Sequence, residues 1–140
     1  MKNIYIIEDD EIVRNLLVRY LDEIIPDHKI VGISEDGVEA KDDCVRLNPD
    51  LVILDLYLPV INGLEILHFL KRKIPDTKVL IFSGIAEKKI YDIAVEGKAD
   101  GFVVKTSGFE EFYHAVKTIS EGETYYSSDL QISGLSTGVL

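Results

Sequence analysis

Two rhythms alternate along the chain. Asn3–Ile7 is a short β-branched and aromatic run, the pattern of a buried strand. Beyond it Ile12, Val13, Leu16, Leu17, Tyr20, Leu21, Ile24 and Ile25 return at helical spacing as far as Pro26. Lys29–Ser34 predicts a second strand, and Asp36–Leu47 a weaker helix stopped by Asn48 and Pro49. Leu51, Val52, Ile53 and Leu54 form an unbroken apolar run ending at Asp55, as expected of a strand covered on both faces. Leu64, Leu67, Leu70 and Ile74 share a helical face closed by Pro75. Lys78–Phe82 then reads as a strand, Glu87–Glu96 as a helix and Gly101–Val104 as a strand. Phe109, Phe112, Val116 and Ile119 stripe a last helix that ends near Gly122.

Five strands alternating with five helices predict an α/β (βα)5 architecture, a doubly wound parallel sheet with helices on both faces. Right-handed crossovers leave few topologies, and the flavodoxin-like strand order 2-1-3-4-5, one of the two common ones, is expected. The domain is expected over residues 1–122. From Glu123 the chain turns rich in Ser, Thr and Gly, so residues 123–140 read as a tail or truncated linker.

With 140 residues, 46% of them hydrophobic and 29% charged, the chain fits one globular domain and is too apolar for disorder. No apolar run reaches the roughly 20 residues that span a bilayer, so no membrane role is expected. Glu8-Asp9-Asp10-Glu11 cuts short the first apolar run, which therefore cannot serve as a signal-peptide core, and a cytoplasmic setting is the expectation. The single cysteine, Cys44, excludes an internal disulfide. A net charge of −10 argues against this chain gripping a nucleic-acid backbone by itself.

The polar residues matter through their positions. Ligands of open parallel sheets bind beyond the carboxyl ends of the strands. Reading each strand to its end gives Glu8 and Asp9 after the first, Asp55 after the third, Ser83 after the fourth and Lys105 after the fifth. In the order 2-1-3-4-5 these five groups share one sheet edge. Three carboxylates in one cleft raise one another's pKa unless a cation neutralises them, and an all-oxygen set suits Mg²⁺. A carboxylate beside Mg²⁺ can attack phosphorus to give an aspartyl phosphate, with Lys105 and the Ser83 hydroxyl holding other phosphoryl oxygens. Taken singly, Ser83 reads as an ordinary strand-end hydroxyl, Lys105 as a surface lysine, Phe102 as core, and Glu8–Glu11 as a solvated helix start. Asp55 is harder to explain as filler directly after Leu-Val-Ile-Leu.

Ile6-Ile7-Glu8-Asp9-Asp10 with Arg14, Asp55-Leu56-Tyr57-Leu58-Pro59 with Gly63, Phe82-Ser83-Gly84 and Phe102-Val103-Val104-Lys105 together resemble the response-regulator receiver domains, over about residues 3 to 122. The resemblance implies that Glu8, Asp9, Asp55 and the backbone carbonyl of Tyr57 hold Mg²⁺. It also implies that Asp55 accepts a phosphoryl group from a sensor histidine kinase, and that Lys105 pairs with the phosphate. Ser83 and Phe102 match the switch hydroxyl and the switch aromatic. The family's acid pair stands six and five residues before the arginine matched by Arg14, which selects Glu8 and Asp9 over Asp9 and Asp10. Such a protein catalyses its own phosphorylation and dephosphorylation and is not an enzyme in the usual sense.

Thr106–Phe112 and Glu121–Ser127 are similar to receivers of NarL/FixJ-type regulators, whose output is a LuxR-type helix-turn-helix. The resemblance implies transcription regulation, homodimerisation on phosphorylation, and DNA contact only through an output domain that this chain does not carry. The chain is then either a fragment of a longer regulator or a natural single-domain one. Lys98 stands where the family usually has a helix-terminating glycine, so the left-handed cap is expected to move to Gly97 or to be strained. Two rival readings stand beside this one. A degenerate receiver serving as a protein-interaction module is disfavoured by the presence of all five side chains. A Mg²⁺-dependent aspartyl phosphohydrolase of the haloacid-dehalogenase type would need an acid where Tyr57 stands.

Overall fold

The computed structural model describes residues 1–84 and 87–127. The elements in chain order are β1 (Asn3–Ile7), α1 (Glu11–Ile24), β2 (Lys29–Ser34), α2 (Gly37–Leu47), β3 (Leu51–Leu54), α3 (Gly63–Lys73), β4 (Lys78–Ser83), α4 (Lys88–Glu96), β5 (Gly101–Val104), α5 (Gly108–Ser120) and β6 (Tyr125–Tyr126). Among the described residues the strands form one sheet in the order β2-β1-β3-β4-β5-β6. The first five follow the expected 2-1-3-4-5, all in parallel. β6 adds to the outer edge of β5, a few residues past Gly122. The remainder of the Ser/Thr/Gly-rich tail, 128–140, lies outside the described residues.

The strands are apolar throughout because their residues alternate between two covered faces. Tyr5, Ile7, Val52, Leu54, Val79, Ile81, Phe102 and Val104 point to one side, where α2, α3 and α4 bring Ala40, Cys44, Ile66, Leu67, Leu70 and Ala94. Ile4, Ile6, Leu51, Ile53, Leu80, Phe82 and Val103 point to the other, under Leu17 and Leu21 of α1 and Phe112, Val116 and Ile119 of α5. Rings join the two helices of that second layer: Tyr20 stands 5.0 Å from Phe109 and 5.6 Å from Phe112, which meets Phe82 at 5.4 Å. Asp10, Asp36 and Asn62 cap α1, α2 and α3 with side-chain oxygens that accept backbone N–H bonds, which satisfies donors the first turn leaves open.

Tyr5 brings a polar atom into the interior of the β1 layer. Its ring is fully buried, and its hydroxyl donates to Asp43 Oδ2 of α2 at 2.6 Å. The β1–β2 register shifts beside it, pairing Ile4 with Ile30 but Tyr5 with Gly32. A Cβ on Gly32 would fall 2.4 Å from Tyr5 Cε2, so the glycine makes room for the ring. The bond from Tyr5 holds the Asp43 carboxyl below its ordinary value. A depressed carboxyl contributes stability above its unfolded pKa and loses it as pH falls through the folded one. Tyr5→Phe should therefore cost about 1 kcal/mol at neutral pH. The gap between the urea midpoints of variant and wild type should narrow once the pH drops below the ordinary aspartate value of 3.8.

The end of α4 departs from the helix-terminating glycine expected by family pattern. Gly97 keeps an ordinary φ of −76°, while Lys98 takes the left-handed position at φ 65°. Lys98 N donates to Val95 O and Ala99 N to Ala94 O, at 3.0 and 3.1 Å, which is a Schellman closure. The cap has not moved; a side-chain-bearing residue occupies it under strain. Lys98→Gly should raise stability by roughly 0.5–1 kcal/mol, the left-handed penalty less the entropy a glycine adds to the unfolded chain. Thermal unfolding checks this as a rise in Tm of a few degrees.

Candidate functional site

The topology levels the carboxyl ends of the central strands. Ile7 pairs with Leu54 and Ser83 with Val104, so the residues that follow β1, β3 and β5 emerge on one edge. Asp55 N donates to Ile7 O and Glu8 N to Ser34 O, each at 3.0 Å. These bonds carry the strand pairing one residue beyond β1 and β3 and orient both acids. Glu8 is 1% and Asp55 4% exposed, whereas Asp9 stands in solvent.

Glu8, Asp9 and Asp55 can each bring a carboxylate oxygen within 4.8 Å of the others. Among the described residues this is the one group of three or more acids, histidines or cysteines with such spacing. An all-oxygen donor set of carboxylates is the kind that Mg²⁺ takes, so the donor chemistry fits that cation. Asp10 lies outside the group: its Oδ1 accepts from Ile12 N at 2.8 Å and Val13 N at 3.4 Å to cap α1. Arg14, on the first turn of α1, donates to Glu8 O at 3.1 Å and lies 3.6 Å from Glu35 Oε2. In the sequence it served only as a register mark; here it pins the backbone of the first acid.

Lys105 supplies the counter-charge. Its Nζ lies 2.8 Å from Glu8 Oε1 and 3.3 Å from Asp55 Oδ2. The second Asp55 oxygen accepts from Tyr57 N at 3.1 Å. The lysine–Glu8 contact was not visible in the sequence, because it depends on the reach of two long side chains from opposite sides of Asp55. Ser83 is fully buried at the end of β4, and Phe102 is fully buried on β5. The Phe102 ring faces inward, 6.1 Å from Tyr91 of α4.

Burial pushes the Glu8 carboxyl up to about 7, and the charge of Asp55 pushes the same way, while the hydrogen bond with Lys105 opposes both. Burial also works against the Lys105 charge, but its bond to Glu8 and the charge of Asp55 outweigh this and leave it above its ordinary value. One ammonium therefore does not neutralise two buried carboxylates. The cluster is held short of one positive charge, the condition under which a divalent cation binds and expels a proton.

A flavodoxin-like sheet with three clustered carboxylates and a lysine at its strand ends defines the class: an acidic, metal-ready receiver module. The comparisons specify it. The family model for the response regulator receiver domain matches residues 4–117. The transcriptional regulatory protein LiaR of Bacillus subtilis (strain 168) is 32% identical over 124 residues, covering 88% of this chain and 58% of LiaR. DegU of Brevibacillus brevis is 30% identical, over 87% of this chain and 51% of that protein. A two-component response regulator of the LuxR family from Aurantimonas sp. SI85-9A1 superposes with a TM-score of 0.88 at 28% identity, covering 99% of this chain and 98% of that one. The chain belongs to the response-regulator receiver domain family, and its resemblance to NarL/FixJ-type receivers holds. It spans just over half the length of the curated relatives it matches.

The raised Glu8 value gives a signed expectation for the metal. Below about 7 a proton occupies Glu8 and competes with the cation, so Mg²⁺ affinity should climb as pH rises from the ordinary 4.5 towards 7 and level off above. By the same linkage, stability without metal falls across that window, since the folded state there binds more protons than the unfolded one. Titration calorimetry with Mg²⁺ at several pH values checks this; an affinity independent of pH would refute it.

Proposed function

We propose that Asp55 is the phosphoacceptor of a two-component signalling switch, with Glu8, Asp9, Asp55 and the Tyr57 carbonyl holding Mg²⁺. The observation that carries this reading is the placement of Asp55: a buried carboxylate at the end of an apolar strand, grouped with two further acids and 3.3 Å from an ammonium. When bound, Mg²⁺ would draw charge from the transferring phosphoryl oxygens. The Asp55 Oδ2 forms the new bond to phosphorus as the P–N bond to a histidine kinase's phosphohistidine breaks, and the electron pair departs with the imidazole. Lys105 and Ser83 hold phosphoryl oxygens. Were Glu8 to hold the cation, the Lys105 ammonium that now contacts it would be free for the phosphate.

Ser83 and Phe102 form the switch. Occupancy of Asp55 biases two arrangements of Ser83 and of the Phe102 ring, and the altered face of α4, β5 and α5 promotes homodimerisation; the loop that follows Ser83 lies partly outside the described residues. The output is transcription regulation through a helix-turn-helix domain beyond the receiver, a reading supported by LiaR, DegU and the LuxR-family regulator. DNA contact belongs to that domain, and a cytoplasmic setting suits both kinase and DNA. None of the described helices is long and apolar enough to cross a membrane.

Incubation with Mg²⁺ and acetyl phosphate should add one phosphoryl group, read by intact mass, in wild type. Asp55→Asn should give no adduct, and Lys105→Ala should retain the site but slow its formation by about 10²-fold or more, the scale of removing one charge-stabilising donor. An adduct that persists in Asp55→Asn would place the acceptor elsewhere.

A further inference from the structure

The turn between β1 and α1 carries two of the three clustered acids, and its backbone decides how they stand. Glu8 N donates to Ser34 O at 3.0 Å, and Arg14 N to Asp10 O at 2.9 Å. Asp10 N donates to Glu8 Oε2 at 3.2 Å, while the Asp10 carboxylate is committed to the α1 cap. Between these anchored points lies the peptide that joins Glu8 to Asp9. A peptide unit is planar, so its tilt sets ψ of Glu8 and φ of Asp9 together and fixes where one carboxylate stands relative to the other. Arg14 Nη1 donates to the carbonyl oxygen of this peptide at 3.1 Å. Among the described residues it is the one hydrogen bond to that peptide.

We propose that Arg14 is a positioning residue of the cation site: by holding the Glu8–Asp9 peptide it sets how tightly the acid cluster takes Mg²⁺. The inference rests on the reading of Glu8 and Asp9 as Mg²⁺ ligands, and it adds the residue that aligns them. Glu8 is buried and can be placed by packing, but Asp9 stands in solvent and depends on its backbone for direction. Arg14 suits the task because it is itself held. It belongs to the first turn of α1, its side chain is 21% exposed, and the nitrogen that bonds the peptide also lies 3.6 Å from Glu35 Oε2. Its charge alone would act the other way, since a cation near the cluster repels Mg²⁺. The two roles therefore predict opposite signs when the guanidinium is removed. Residues that orient metal ligands without touching the metal are typically worth about 10–100-fold in metal affinity.

The test is titration calorimetry of the full chain with Mg²⁺ at one fixed pH. Arg14→Met, which keeps an apolar stem and removes both donor and charge, should bind Mg²⁺ about tenfold or more weakly than wild type. Arg14→Lys, which keeps the charge but replaces the planar fork with a compact ammonium, should fall between the two and serves if Arg14→Met does not fold. In acetyl phosphate reactions read by intact mass, the Mg²⁺ concentration giving half the maximal rate should rise by the same factor. The rate at saturating Mg²⁺ should stay near that of wild type, whereas a merely structural loss would lower it. An affinity equal to or tighter than wild type in either folded variant would overturn the proposal. Weaker Mg²⁺ binding in the variants, with no adduct on Asp55 in wild type, would uphold Arg14 and overturn the phosphoacceptor reading. No Mg²⁺ binding by wild type would overturn the proposal together with the metal reading it rests on.

Discussion

The structure turns on two carboxylates, Glu8 and Asp55, brought together with almost no access to water and only Lys105 between them. A buried anion is costly unless paired, and here one ammonium serves two. Neighbouring features hold the acids in place without neutralising them. Arg14 spends its guanidinium on the Glu8 carbonyl, Asp10 is committed to the α1 cap, and Tyr57 N orients a single oxygen of Asp55. The deficit of positive charge is a property of the site itself, and a divalent cation is the partner that offsets it.

Such a deficit is tolerated only because the rest of the fold is well paired. Every residue of β3 is buried between two apolar layers, and its neighbours β1 and β4 bond it on both edges. Asp55 therefore sits on a strand that cannot shift without breaking two ladders. The same parallel arrangement that buries the strands also aligns their carboxyl ends, so rigidity and convergence of the functional groups have one origin. Placing the acids on separate strands lets each be positioned by backbone bonds rather than by contacts with the others, which repel.

Most of this architecture was legible in the residues. Unbroken apolar runs marked strands covered on both faces, prolines closed helices, and the topology rule then placed Glu8, Asp9, Asp55, Ser83 and Lys105 on one edge. What stayed hidden depended on side-chain reach or on very short segments. Tyr5 reads as one more β-forming aromatic, and nothing in the pattern announces that its hydroxyl needs Asp43 and that its ring needs Gly32. Tyr125 and Tyr126 are two residues inside a Ser/Thr/Gly-rich stretch, too few to show a period. Lys98 shows a different limit: the pattern located the strained position, but whether the strain would move to Gly97 depended on the hydrogen bonds that close α4, and these held Lys98 in place.

The distribution of pairing across the sheet also bears on where a change at Asp55 can travel. β1 and β3 are each bonded to two neighbours along most of their lengths, so they act as fixed supports. β5 is different: β4 holds it through four pairs on one side, while two pairs with β6 cover the other. Lys105 extends directly from β5, and Phe102 lies within it. Of the strands that carry the site's residues, β5 is therefore the one with the least pairing on its outer side, while the buried apolar layers on both faces hold all of them against gradual deformation.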